Sequence, residues 1–129
     1  MAASVQTHGP HARIVVPRGI IVELFRIIDE RAWSALPQVF HTSVIYERPG
    51  YAPFEGLAQL TDFYEHIRIL IGSHRLEGVL MDEPFGATWG EFIGQTRDGV
   101  AVRERFADVY VFEDGKIRRR RTHFFRSAI

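Results

Sequence analysis

Two carboxylates stand where a freely solvated charge is out of place. Glu47 closes the stretch SVIYE, and Asp108 is embedded in FADVYVF. Successive side chains of a strand point to opposite faces, so if Ile45 faces a pocket, Glu47 does too. A carboxylate surrounded by Phe, Trp and Leu loses hydration, its pKa rises, and it becomes a general acid or base that works near neutral pH. The bland reading of Glu47 is an exposed strand-end glutamate beside Arg48. Asp108, flanked by Phe106, Ala107, Val109 and Tyr110, reads either as a protonated acid that hydrogen-bonds an oxyanion or as half of an ion pair with a neighbouring arginine.

His74, just after Gly72, is a proton carrier at a pocket mouth or a hydrogen-bonded connector between helix and strand. These three, Glu47, Asp108 and His74, are the catalytic candidates. Around them, Tyr64 lies on an apolar helix stripe and either turns its hydroxyl into a cavity or fills core. Trp89 and Glu91 share one face of a strand, so Glu91 is a third pocket acid in one register and solvated in the other. Phe106 supplies apolar wall. The run Arg118 to Arg121 splits by alternation, Arg118 and Arg120 to one face, Arg119 and Arg121 to the other; an inward Arg120 would pair with Glu47, Asp108 or Glu91, or bind an anionic substrate group. Tyr64, Trp89, Glu91, Phe106 and Arg120 are therefore the substrate-contacting candidates. Tyr51 and Arg68 read as braces or rim residues of the RPGY turn.

The elements that must hold these groups follow from periodicity and turn signals. Residues 1–16 show no clear period and form a loose arm ahead of a single domain over 17–129. Ile20, Ile21, Leu24, Ile27 and Ile28 trace one face of a first helix. Residues 30–40 read as a short second helix bent at Pro37, with Trp33, Leu36, Val39 and Phe40 inward. A strand over 43–48 ends at Pro49-Gly50, and a third helix over 54–71 carries Leu57, Leu60, Tyr64, Ile67 and Ile71 in one stripe, closed by Gly72. Strands over 73–83, 87–96, 100–113 and 116–125 are separated by Pro84/Gly86, Asp98-Gly99 and Asp114-Gly115, the signature of an antiparallel meander. Helices before hairpins give an α+β fold with helices on one face of a strongly curved sheet.

Composition narrows the classes. Sixteen basic residues balance sixteen acidic ones in a chain of 129, so no net field draws in nucleic acid or an anionic membrane surface. No run approaches the roughly 18 apolar residues of a membrane span. The chain has no cysteine, which excludes disulfides, thiolate metal sites and a cysteine nucleophile. The histidines lack the spacing of a zinc helix, and there is no phosphate-cradling glycine loop, which leaves cofactor-free and metal-free chemistry in the cytoplasm as the expectation.

The order of helix, short helix, strand ending in RPGY, FEG-initiated helix and hairpins ending in FEDGKIRRR resembles the SnoaL-like polyketide cyclase group of the NTF2-like superfamily over about residues 17–125. The resemblance implies a cone of three N-terminal helices on a curved, mostly antiparallel sheet, often a homodimer through the sheet's outer face. It further implies a deep pocket for a hydrophobic small molecule, with cyclase, isomerase or dehydratase chemistry of the kind used in secondary metabolism. In that frame Glu47 matches the proton-shuttling carboxylate of ketosteroid isomerase and Asp108 its oxyanion-hole acid. Leu24 stands where that enzyme has its helix-one tyrosine, and RRRTHFF lacks the last-strand carboxylate of the cyclases. A non-catalytic binding or assembly module with the same cone is the alternative.

Overall fold

Asp114 and Gly115 both take positive φ, 54° and 76°, the backbone a two-residue hairpin demands, and they join the last two strands. This computed structural model describes residues 15–126; the predicted arm over 1–16 falls almost wholly outside them. Strands β1 (Phe40–Glu47), β2 (Phe54–Glu55), β3 (Leu70–Asp82), β4 (Phe85–Thr96), β5 (Ala101–Glu113) and β6 (Lys116–Phe124) form one sheet. Its order is β2-β1-β6-β5-β4-β3, so β3 to β6 make the expected antiparallel meander. The exception is β1, which pairs parallel to β6 and places the first strand beside the last.

Helix α1 (Ile20–Glu30) buries Ile20, Ile21, Leu24, Phe25, Ile27 and Ile28 against the concave face. It ends with Arg31 in the left-handed region, where the Arg31 and Ala32 N–H groups donate back to Ile28 and Ile27. A 3₁₀ turn over Trp33–Gln38 follows. Helix α2 (Leu57–Asp62) widens into a π-turn over Phe63–Ile67 and lies between β2 and β3. The fold is thus α+β with a curved six-stranded sheet, but the third helical segment is not N-terminal to the sheet: it interrupts it. It is also shorter than its apolar stripe predicts. Ile67 and Ile71 are half exposed, and Gly72 lies inside β3 rather than capping a helix. A Cβ on Gly72 would stand 2.3 Å from the Ile93 carbonyl oxygen, so this glycine serves the close approach of two strands.

The core lies between α1, α2 and the concave face of β1, β5 and β6, where Val44, Tyr46, Phe63, Tyr110 and Ile117 are all but sealed from solvent. No helix among the described residues is long and apolar enough to cross a membrane.

Candidate active site

Parity decides which side chains meet. In β1, Phe40, Val44 and Tyr46 are buried, so Tyr46 points inward and Glu47 points out. This corrects the expectation for Glu47. The strand begins at Phe40 rather than Ser43, and the even positions carry its apolar payload. Glu47 lies on the convex face, within 3.1 Å of Arg121 Nε and 3.9 Å of Arg119 Nη1. Trp89 and Glu91 share that face and are corrected in the same way. Trp89 is 40% exposed and its indole occupies the space over Gly78, where a Cβ would come within 2.1 Å of the ring. Glu91 is covered by Arg103 and Arg75; the Arg103 hydrogen bond holds its carboxyl below the ordinary value, which suits an ion pair and not a proton carrier at neutral pH.

Asp108 does face inward and is fully buried, yet it does not line the cavity. One oxygen accepts from Arg120 Nε at 2.8 Å and from the Tyr110 hydroxyl at 2.9 Å, the other from the Thr122 hydroxyl at 2.6 Å. With its lone pairs turned to these donors, Asp108 is the acceptor hub of a buried network, and the ion-pair reading of this residue is the one the geometry matches. Arg120 carries the network forward. Its Nη1 donates to the Tyr64 hydroxyl at 2.7 Å, which leaves the Tyr64 proton free to be donated into the cavity that Tyr64 lines. The neighbouring arginines split less simply than alternation predicts: β6 bulges at Arg118, which reaches the Ser43 carbonyl while Arg119 and Arg121 stay outside.

The cavity measures about 110 Å³ and is walled by Phe25, Phe92, Phe106, Tyr46 and Tyr64, with His74, Thr122, Arg48, Arg68, Arg120 and the Glu104–Arg126 pair among its polar groups. His74 enters from β3, on the inward parity of Gly72 and Leu76. Asp29, in the last turn of α1, clamps it twice: one carboxylate oxygen accepts from the His74 backbone N–H at 2.9 Å, the other from Nδ1–H at 2.5 Å. That bond fixes the tautomer with Nε2 as the free lone pair. The ring is wedged against Phe25 and Phe92 at 4.8 Å and Phe106 at 5.4 Å. Burial pushes the imidazole pKa below its ordinary value, against the opposing pull of Asp29, so His74 is neutral and basic at neutral pH.

Sequence reasoning missed Asp29, which lies at the polar edge of an otherwise apolar helix, gave Arg48 no role of its own, and read Arg68 as a brace or rim residue. Reading the first strand back to Phe40 would have exposed the even-parity series Phe40, Val44, Tyr46, Arg48. On the outer edge, His41, Glu113 and Asp114 bring ligand-capable atoms within 4.8 Å of one another, but the two acids are exposed and one is accounted for by a 3.5 Å contact with His41.

Solved structures share this architecture. An epoxide hydrolase-like protein of M. tuberculosis, described as LEH-like, superposes with a TM-score of 0.72 at 12% identity, over 82% of this chain and 80% of that one. A putative ketosteroid isomerase from Kribbella flavida gives 0.72 at 18% identity over 87% and 79%. A protein of ketosteroid isomerase-like fold from Catenulispora acidiphila, solved in complex with trimethylamine, gives 0.73 at 11% over 84% and 86%. Such identities establish the fold and leave chemistry open. No curated protein matches the sequence. The family model for the SnoaL-like domain matches residues 21–120, most of the chain and every strand that builds the cavity except the end of β6; the protein belongs to the SnoaL-like domain family.

Proposed function

We propose that the protein is a cofactor-independent acid/base enzyme that isomerises, dehydrates or cyclises a small carbonyl-bearing metabolite, with His74 as its proton carrier. The observation that carries this reading is the Asp29–His74 pair: an imidazole in the cavity wall, held through Nδ1 so that Nε2 is left outside that bond. In the proposed step Nε2 takes a proton from the carbon next to the carbonyl. The C–H pair becomes the C=C bond of an enolate and the negative charge moves to oxygen, where the Tyr64 hydroxyl, backed by Arg120, donates to it. The imidazolium returns the proton at a second carbon for isomerisation, or to a departing hydroxyl for dehydration.

Deuterium wash-in from D₂O into a panel of enolisable ketones and oxo acids, followed by NMR, tests this without knowledge of the natural substrate. His74→Asn is expected to lower exchange by about 10²–10⁴-fold with an unchanged melting temperature. Exchange at the wild-type rate in that variant would remove His74 as the base. A binding module without turnover is the second reading, favoured by the position of Glu47 on the convex face and of Asp108 behind the cavity; it predicts no exchange in either protein.

The convex face supports a homodimer. Leu80, Phe85, Trp89 and Val109 are 61, 59, 40 and 44% exposed there, between the Glu91–Arg103 and Glu47–Arg121 ion pairs. Light scattering is expected to give twice the 14.8 kDa chain mass, and a monomer for Trp89→Arg. A wild-type monomer at micromolar concentration would refute the dimer.

A further inference from the structure

The cavity wall carries four arginines, and two of them are neutralised. Arg120 has Asp108 at 2.8 Å and Arg126 has Glu104 at 2.6 Å. Arg48 and Arg68 have no acidic partner among the described residues. Among the described residues Arg48 donates a single long hydrogen bond, 3.3 Å to the Tyr46 hydroxyl, and its buried Nε has no acceptor. Aromatic rings surround its guanidinium, Phe63 at 5.1 Å and Phe124 at 5.2 Å. Arg68 makes no side-chain hydrogen bond among the described residues; it lies 5.1 Å from the Phe92 ring and 5.8 Å from Tyr64. Burial, together with the charges of Arg48 and Arg120, lowers its pKa. Cation–π contact offsets part of the desolvation of a guanidinium but leaves its N–H fork unused.

Both side chains are half-buried; a partly desolvated cation without a counter-ion is costly, and two in one wall repel each other. Both groups also line the groove that continues outward past Tyr51, Ile67 and Ile69 to Asp98 on an exposed hairpin, so they stand where an entering ligand passes from solvent into the cavity. The cavity volume is below the roughly 150 Å³ that admits benzene, which limits the apolar body behind the charge to a few carbon atoms.

We infer that the cavity takes a short-chain organic carboxylate, its charged group received by the paired guanidinium forks of Arg48 and Arg68 and its apolar end directed among Phe25, Phe92 and Phe106. Resting on the acid/base reading above, this names the substrate class as a small oxo acid: the arginines hold the carboxylate, and the carbon next to the carbonyl is presented to His74. Guanidinium forks accept carboxylate and phosphate alike, and the small aromatic cavity favours the planar, singly charged group over a phosphate.

Calorimetric titration at fixed ionic strength with butyrate, its neutral amide butyramide, and inorganic phosphate tests the inference. Butyrate is expected to bind at least tenfold more tightly than butyramide and than phosphate. Arg68→Met and Arg48→Met are each expected to abolish the butyrate advantage while melting at or above the wild-type temperature, since each removes an unpaired, half-buried charge. The wild-type comparison stands even if one variant fails to fold. Equal binding of acid and amide, binding of neither, tighter binding of phosphate, or loss of thermal stability in both variants would each overturn the carboxylate site. His74→Asn separates the two proposals: it is expected to keep butyrate affinity while losing proton exchange. Retained affinity with unimpaired exchange would sink the base and leave the anion site standing.

Discussion

The two faces of β6 hold the same chemistry under opposite conditions. On the concave face Arg120 meets Asp108, with side-chain exposures of 4% and 0%. One residue along, on the convex face, Arg121 meets Glu47 with exposures of 54% and 35%. An arginine–carboxylate pair in water contributes little, because solvent already stabilises both ions. The same pair out of water becomes indispensable, since neither ion can survive there alone. Position in the pleat, and not residue type, assigns one pair to the interior network behind Tyr64 and the other to the surface.

Paired substitutions measure that contrast. Asp108→Asn strands Arg120 as an unpaired buried cation and is expected to cost about 3–5 kcal/mol in urea unfolding. Glu47→Gln is expected to cost no more than about 1 kcal/mol, and to leave proton exchange intact. Equal costs would mean that the two faces are equally wet and would dissolve the comparison.

The next effect concerns Asp29, whose hydrogen bond and charge raise the His74 pKa against the larger lowering by burial. In the wild type the acid limb of the exchange rate should therefore lie below the ordinary histidine pKa of 6.5. Asp29→Asn removes the charge and leaves one acceptor oxygen where there were two, so the limb should move further toward acid while the plateau rate falls, because a weaker and less firmly held base remains. A limb displaced toward neutral pH would show that Asp29 does not act through His74.

What was legible in the sequence divides along the same pleat. Asp114-Gly115 marks its hairpin because a two-residue turn admits few other residues. The α+β order and the curved sheet follow from such local rules. Strand parity at Glu47 did not, because β1 is short, pairs irregularly between Phe40 and Ile45, and offers plausible residues on both faces. The inward parity of Asp108 and Arg120 was readable, since Phe106, Tyr110 and Phe112 repeat every second residue around Asp108. Asp29 was beyond reach for a different reason. Its role depends on meeting His74 across 45 residues of chain, and no local pattern encodes that meeting.

The parallel pairing of β1 with β6 has a consequence for how the molecule comes into being. Tyr46 and Arg120 occupy facing register positions, yet some 74 residues separate them, and every intervening hairpin can close before they meet. Closing so long a loop is entropically late, and non-local pairing is the slow part of folding. During synthesis the β3–β5 hairpins emerge first and can hold His74 and Phe92 in place, while Tyr46, Arg48 and the Asp108–Arg120 network wait for the final strand. The chamber is thus closed by the last strand of the sheet to be made, and a nascent chain halted before β6 would hold His74 and Arg68 without Arg120 and the network behind Tyr64.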